Sequence, residues 1–250
     1  MISKYLLLTC GVAATLTMAG AAQADSPSTD AATNLSCPVT YSELKSALVL
    51  ADKADKTGFQ NHFWAVVVNR AGVVCAVAFS GADTGSQWLS SRTIAAAKAF
   101  TANGLSLNIP SGTGALSTAQ LYQFVQPSNA YIGNPLFGLE GGNVLNSQLA
   151  YQGNYAYFGT TSDPMIGQRI GGTITFGGGL ALYTSNGTVV GGLGLSGDTA
   201  CRDHSVAWRT RIILKLEQSK PKDQLPFATN AAMTNGHPHC PNDAGTVGTN

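Results

Sequence analysis

Residues 63–79 read FWAVVVNRAGVVCAVAF. Phe63 to Val68 is continuously apolar and β-branched, Asn69-Arg70-Ala71-Gly72 has turn composition, and Val73 to Phe79 is apolar again. The stretch therefore predicts a β-hairpin buried on both faces. A second hairpin follows at Leu180–Tyr183 and Val189–Leu195, because Ser185-Asn186-Gly187 between them suits the positive φ angles of a tight turn.

Helical patterns surround the two hairpins. Thr40-Tyr41-Ser42-Glu43 has capping-box spacing and Leu44, Leu48, Ala51 and Ala54 recur at helical intervals, so a helix is expected over 41–57, ended by Gly58. Gln87 to Ala102 carries Leu89, Ile94, Ala97 and Phe100, with Gly104 as its stop. Ser117 caps a shorter helix to Gln126, halted by Pro127. Ser196-Gly197-Asp198-Thr199 leads into a helix over 200–217, whose buried stripe is Ala207, Trp208, Ile212 and Leu216. Hairpins without crossovers imply an antiparallel sheet with helices packed on it, an α+β fold.

The long segment 127–176 is rich in Gly, Asn, Tyr and Ser, as functional loops and insertions are. Its cluster Tyr151, Tyr155, Tyr157 and Phe158 reads as a small satellite core. Beyond Gln218 the chain is polar and no element is legible.

The 250 residues are 11% charged with a formal net charge of +1. That excludes a coiled coil, a disordered polyampholyte and a nucleic-acid binder acting through bulk positive charge. Lys4, the apolar run Tyr5–Met18 and Ala21-Ala22-Gln23-Ala24 predict a signal peptide over 1–24, which makes the protein periplasmic or secreted. Leu7-Leu8-Thr9-Cys10 is a poor lipoprotein signal, with Thr before the Cys. Lys4 is one of the 14 basic residues, so 13 remain against 13 acidic. No later apolar run is long enough to span a bilayer. The expected organisation is a flexible leader over 25–36, one domain over 37–218 and a polar tail over 219–250 that a disulfide ties back. After cleavage Cys37, Cys75, Cys201 and Cys240 remain. An even number in an exported chain predicts two disulfides, with three connectivities open. None has a second Cys within metal-ligand spacing.

VVVNRAGVVCAVAFSG (66–81), AAAKAFTAN (95–103), FGGGLALY (176–183) and VVGGLGLSGDTACRDHSVAWRTR (189–211) together resemble the GlcG/HbpS-type haem-binding domain over about residues 41–217. The resemblance implies a five-stranded antiparallel sheet with helices packed against it, a homodimer or larger homo-oligomer, and haem or a related tetrapyrrole as ligand. Asn69 and Phe79-Ser80-Gly81-Ala82-Asp83 depart from the family pattern. The same resemblance favours Cys37–Cys240 as one disulfide and leaves Cys75–Cys201 as the other.

Histidine is the scarce ligand type here. His204 lies beside Asp203 in the first turns of the last helix, where a carboxylate could orient its ring, although a helix start is also a common place for a capping or surface His. His62 precedes the first strand, facing either a pocket or plain solvent. His237-Pro238-His239-Cys240 looks metal-like, but the intervening Pro and the cysteine argue for chance spacing. Ser196 and Asp198, at a helix N-terminus after Gly191, Gly192 and Gly194, offer amides to a carboxylate such as a haem propionate, or else simply pack and cap. Gly177-Gly178-Gly179 poses the same choice. Lys98 matches a lysine that recurs in the family and suits an anionic ligand. Arg92, six residues earlier and about 600° around the helix, projects elsewhere. Asp203 and His204 are also the weak candidates for acid and base in an alternative reading, a cofactor-free lyase, isomerase or hydrolase. Gly194-Leu195-Ser196-Gly197-Asp198 is not a nucleophile elbow.

Overall fold

The computed structural model describes residues 35–109, 114–126, 138–139, 144–217, 223–229 and 236–242. The expected signal peptide and most of the leader lie outside them. Helix α1 (Tyr41–Ala54) opens on a capping box in which the Thr40 hydroxyl accepts from the Glu43 amide and the Glu43 carboxylate accepts from the Thr40 amide. The hairpin β1 (Trp64–Asn69) and β2 (Val74–Phe79) follows, then α2 (Ser91–Leu105), α3 (Thr118–Leu121) with a 3-10 turn at Tyr122–Val125, and α4 (Ser147–Ala150) with another at Tyr155–Tyr157. Strands β3 (Gly179–Tyr183) and β4 (Val189–Ser196) and helix α5 (Ala200–Ile213) complete the order.

All strand pairs are antiparallel, in the order β2-β1-β4-β3. Among the described residues the sheet thus has four strands rather than the five that the resemblance implies. The chain around Asp163 is irregular: Arg92 forks onto Asp163 with Nη–Oδ distances of 2.6 and 2.5 Å, while the Gly159 and Met165 amides also donate to Asp163.

Side chains alternate across the pleat. On one face Ala65, Val67, Leu193 and Leu195 meet Leu44 and Leu48 of α1 and Val206 and Trp208 of α5. On the other, Trp64, Val66 and Val68 meet Ala95, Ala96 and Ala99 of α2 and the loop residues Phe158, Met165 and Ile170. Helix α2 lies almost backbone-on-backbone against β4, since a Cβ at Gly194 or Gly192 would sit 2.0 Å from Ala95 O or 2.2 Å from Ala99 O. These glycines serve close packing. Of the aromatic cluster only Phe158 is buried; Tyr155 and Tyr157 are about half-exposed, so it is not a satellite core.

Several element ends move because a polar group finds a better partner. Helix α1 stops at Ala54, three residues early, because Asp55 turns to accept from Ser205 and Thr57. Helix α2 starts at Ser91 because Gln87 is spent bracing the preceding loop at Gly81 and Asp83. Helix α5 ends at Ile213: Lys215 takes φ 57°, and Leu216 O accepts from Tyr183 N beside β3. The tail is tied down by Arg211, whose Nη atoms lie 2.5 and 2.9 Å from the Asp223 carboxylate, and it folds on itself through a bridge between Phe227 and His237.

The disulfide joins Cys201 to Cys240, not Cys37 to Cys240, and so also removes the Cys75–Cys201 pairing. The returning tail reaches the first turn of α5 rather than its end, where Pro241 O accepts from Gly58 N. Cys37 sits elsewhere, beside the β1–β2 turn, where Asn69 Nδ2 donates to Leu35 O. Among the described residues no helix is long and apolar enough to cross a membrane, and no group of three or more His, Cys, Asp or Glu could hold a metal ion.

Candidate functional site

The register pairs Trp64 with both Phe79 and Ser196, so the start of β1 and the ends of β2 and β4 open at one edge of the sheet. The N-terminal turn of α5 and the C-terminal turn of α1 meet there. His62, Asp198, Asp203 and His204 lie at this end, but the structure sorts them into two separate groups.

The inner group is sealed. Lys98 Nζ lies 2.5 Å from Asp203 Oδ2 and 3.0 Å from Leu195 O, and it stands 4.9 Å from the centre of the Phe176 ring. Asp203 Oδ1 accepts from the Gly197 and Asp198 amides at 3.1 and 2.9 Å. The amides after Ser196, a possible propionate cradle, are thus filled from within. Burial pushes the Lys98 ammonium down and the Asp203 carboxyl up, and each partner opposes the shift of the other. Gly178 lets this pair lie against β3, since a Cβ there would be 2.9 Å from Lys98 Nζ. His204 has no exposed surface and neither ring nitrogen has a hydrogen-bond partner among the described residues; its ring stacks on Trp208. Burial drives its pKa down to about 3, so it is neutral. His237 is likewise lowered, to about 4, chiefly by burial; its Nε2 accepts from Gly177 N at 3.0 Å while Nδ1 faces Pro238 O at 2.8 Å. That fixes the Nδ1-protonated tautomer and makes His237 a clasp for the tail. His239 stacks flat on Phe227.

The outer group is accessible. His62 Nδ1 lies 2.9 Å from Asp52 Oδ2, and its side chain is 48% exposed. Asp52 is held in turn by Arg202, whose Nη2 is 2.8 Å from Oδ1. Arg202 is buried and also faces Asp198 at 3.4 Å and Asp55 at 3.7 Å, over the Phe63 ring. The Phe59 and Asn61 amides donate to Asp198, which fixes the loop carrying His62. Burial opposes ionisation of Asp55, but Ser205, Thr57 and Arg202 hold its pKa below the ordinary value. The whole assembly is a relay of fixed charges from α5 to α1 ending on one half-exposed imidazole. A carboxylate on Nδ1 orients the ring and leaves the other nitrogen facing outward, the arrangement used to present histidine to a metal.

Of the residues marked in the sequence, the structure brings Lys98, Ser196, Asp203 and His204 together in the interior and sets His62 and Asp198 in the accessible network. Cys201 and Cys240 form the clasp nearby. Asp52 and Arg202 were missed. Asp52 lies ten residues before His62, and only the return of α1 against α5 makes them neighbours.

A family model described as "Haem degrading protein HbpS-like" matches residues 43–210. Among solved structures, the chain is similar to the PduOC:heme complex (22% identity, covering 70% of this chain and 92% of that one, TM-score 0.45). It is similar also to Klebsiella pneumoniae ORFY (21%, 72% and 92%, TM-score 0.44). A third is a double mutant of Streptomyces reticuli HbpS (18%, 82% and 99%, TM-score 0.43). No curated protein matches it.

Proposed function

Because this chain belongs to the HbpS-like haem-degrading family, we propose that it binds haem and that His62 presents its Nε2 to the iron. One observation supports this reading above the others: His62 combines a carboxylate on Nδ1 with a half-exposed ring. An imidazole held in that way fits the donor set of haem iron. Phe59, 66% exposed on the same loop, offers apolar surface for a macrocycle. Asp198 acts at one remove, through Arg202 and Asp52. Lys98, Ser196 and His204 build the sheet end beneath and do not reach the ligand. Bound haem would supply the redox chemistry of its iron.

The acid–base alternative at Asp203 and His204 is not favoured, since the first is committed to Lys98 and both are buried. Export by residues 1–24 belongs to the proposal and is supported by the Cys201–Cys240 disulfide, a bond that persists in oxidising compartments. Self-association into a dimer or larger homo-oligomer belongs to it too, and sedimentation measures that directly.

The test is a haemin titration of the oxidised protein followed in the visible spectrum. A saturable Soret shift is expected, retained in His239→Ala and weakened at least about tenfold in His62→Ala. No shift sinks haem binding, and a shift unchanged by His62→Ala sinks the ligand assignment. Loss of the Soret band over time under ascorbate and air would add degradation to binding.

A further inference from the structure

Cys37 and Cys75 are the two thiols outside the Cys201–Cys240 bond among the described residues. They are 38 positions apart in sequence, yet they lie close enough for each to shift the other's ionisation, while Cys37 Sγ donates to Val39 O at 3.0 Å and Cys75 Sγ to Val73 O at 3.7 Å. Two independent features create the juxtaposition. In the β1–β2 ladder Val67 pairs with Ala76 and Val68 with Val74, so Cys75 is the extra residue of a β-bulge. Bulges re-aim a side chain that would otherwise follow the strand alternation. On the other side, Asn69 Nδ2 donates to Leu35 O at 2.7 Å and Val39 packs into the core, which lays Leu35–Val39 along this edge of the sheet. Strand β2 is last in the strand order, and its outer flank is met at Val74 by the backbone of Gly167 and Gln168.

We infer that Cys37 and Cys75 form a thiol–disulfide couple that closes in an oxidising compartment and braces the start of α1 against the edge strand β2. Cys37 is the exposed partner and Cys75 the half-buried one, which assigns attack to the first and resolution to the second. The neighbouring Cys75 thiol brings Cys37 down to about 7, while Cys37 and burial push Cys75 up. Cys37 is then the better nucleophile near neutrality. The step balances with a disulfide oxidant such as oxidised glutathione. Cys37 thiolate attacks one of its sulfurs and expels a thiolate, leaving a mixed disulfide. Cys75, losing its proton, attacks Cys37 Sγ and expels the second. One S–S bond is broken and one formed, two cysteine thiols are oxidised, and their protons end on two molecules of reduced glutathione.

This inference is independent of haem binding and is tested without it. The full chain is equilibrated in glutathione buffers from reducing to oxidising, quenched in acid, alkylated and mapped by peptide mass spectrometry. A Cys37–Cys75 linked peptide is expected under oxidising conditions, together with Cys201–Cys240. In Cys37→Ser, Cys75 is expected to remain alkylatable. The closed wild type should melt about 5–15 °C above Cys37→Ser and Cys75→Ser, which keep the other disulfide. Persistence of both thiols, or of glutathione mixed disulfides on them, while Cys201–Cys240 is formed would overturn the couple. Equal melting temperatures for closed and serine forms would overturn the brace.

Discussion

Lys98 on α2 and Asp203 on α5 meet as a buried ion pair at the end of β4, Nζ 2.5 Å from Oδ2, with the strand's Leu195 carbonyl as a third member. The two helices lie on opposite faces of the sheet, so the pair bridges the two layers. Its geometry is that of a structural bolt: Asp203 also caps the turn into α5 through two amides, and no solvent reaches either charge.

Breaking this pair from one side should be costly. Lys98→Met leaves a buried carboxylate and Asp203→Asn a buried ammonium, and each is expected to lose about 3–5 kcal/mol in urea denaturation. The double variant should lose less than the sum of the two. Strict additivity would show that the charges do not act as a pair.

Acid should loosen the tail before neutral-pH chemistry does. His204 and His237 have folded pKa values of about 3 and about 4, below the ordinary 6.5, both chiefly through burial. A base whose folded pKa is depressed binds fewer protons folded than unfolded, so stability rises with pH across that gap. The contribution is complete above about pH 6.5 and is lost as pH falls toward 4, by an amount on the order of 5 kcal/mol for the two together. Urea midpoints between pH 4 and 8 measure the slope, and His237→Gln should flatten it by close to one proton. A pH-independent midpoint over that range contradicts the burial argument.

Asp52→Asn tests the relay to His62. It keeps the shape of the side chain but removes the charge on Nδ1, and a weakening of haem affinity by about 10–100-fold is expected. Because Arg202 retains Asp55 and Asp198, the melting temperature should move far less than the affinity. Equal affinity in the variant would leave His62 a surface residue.

Gly194→Ala should be among the most damaging small substitutions. Its methyl would sit 2.0 Å from Ala95 O and 2.5 Å from Ala99 N, both backbone atoms that cannot turn aside. A loss of about 3 kcal/mol or more in thermal unfolding is expected, at the upper end of overpacking costs. Gly104→Ala is the control, since its Cβ would meet nothing within 4 Å.

Cys240→Ser should free the tail from α5. A loss of about 2–5 kcal/mol and new proteolytic cuts after residue 217 are the expected results. Retention of the wild-type digest would mean that Arg211–Asp223 and His237 hold the tail unaided.

Local patterning determined much of this protein. The apolar runs at 63–79 and 180–195 had to be strands covered on both faces, and the Thr40 and Ser117 capping boxes formed as spaced. These signals were legible because each is satisfied within a few residues. The glycines of β4 and Asp198 could be read two ways, and only the approach of α2 and of Arg202 decided for packing and charge support. Residue types and spacing were blind to the cysteine pairing, because the tail's return to the start of α5 and the bulge at Cys75 are made by contacts far apart in sequence. The same holds for the site. His204 beside Asp203 looked like an oriented ligand, yet burial closed it off, while Asp52 and His62, ten residues apart, became an oriented pair only when α1 folded back beside β1. Sequence order fixes which groups are available; desolvation and long-range packing decide which of them meet solvent and which meet each other.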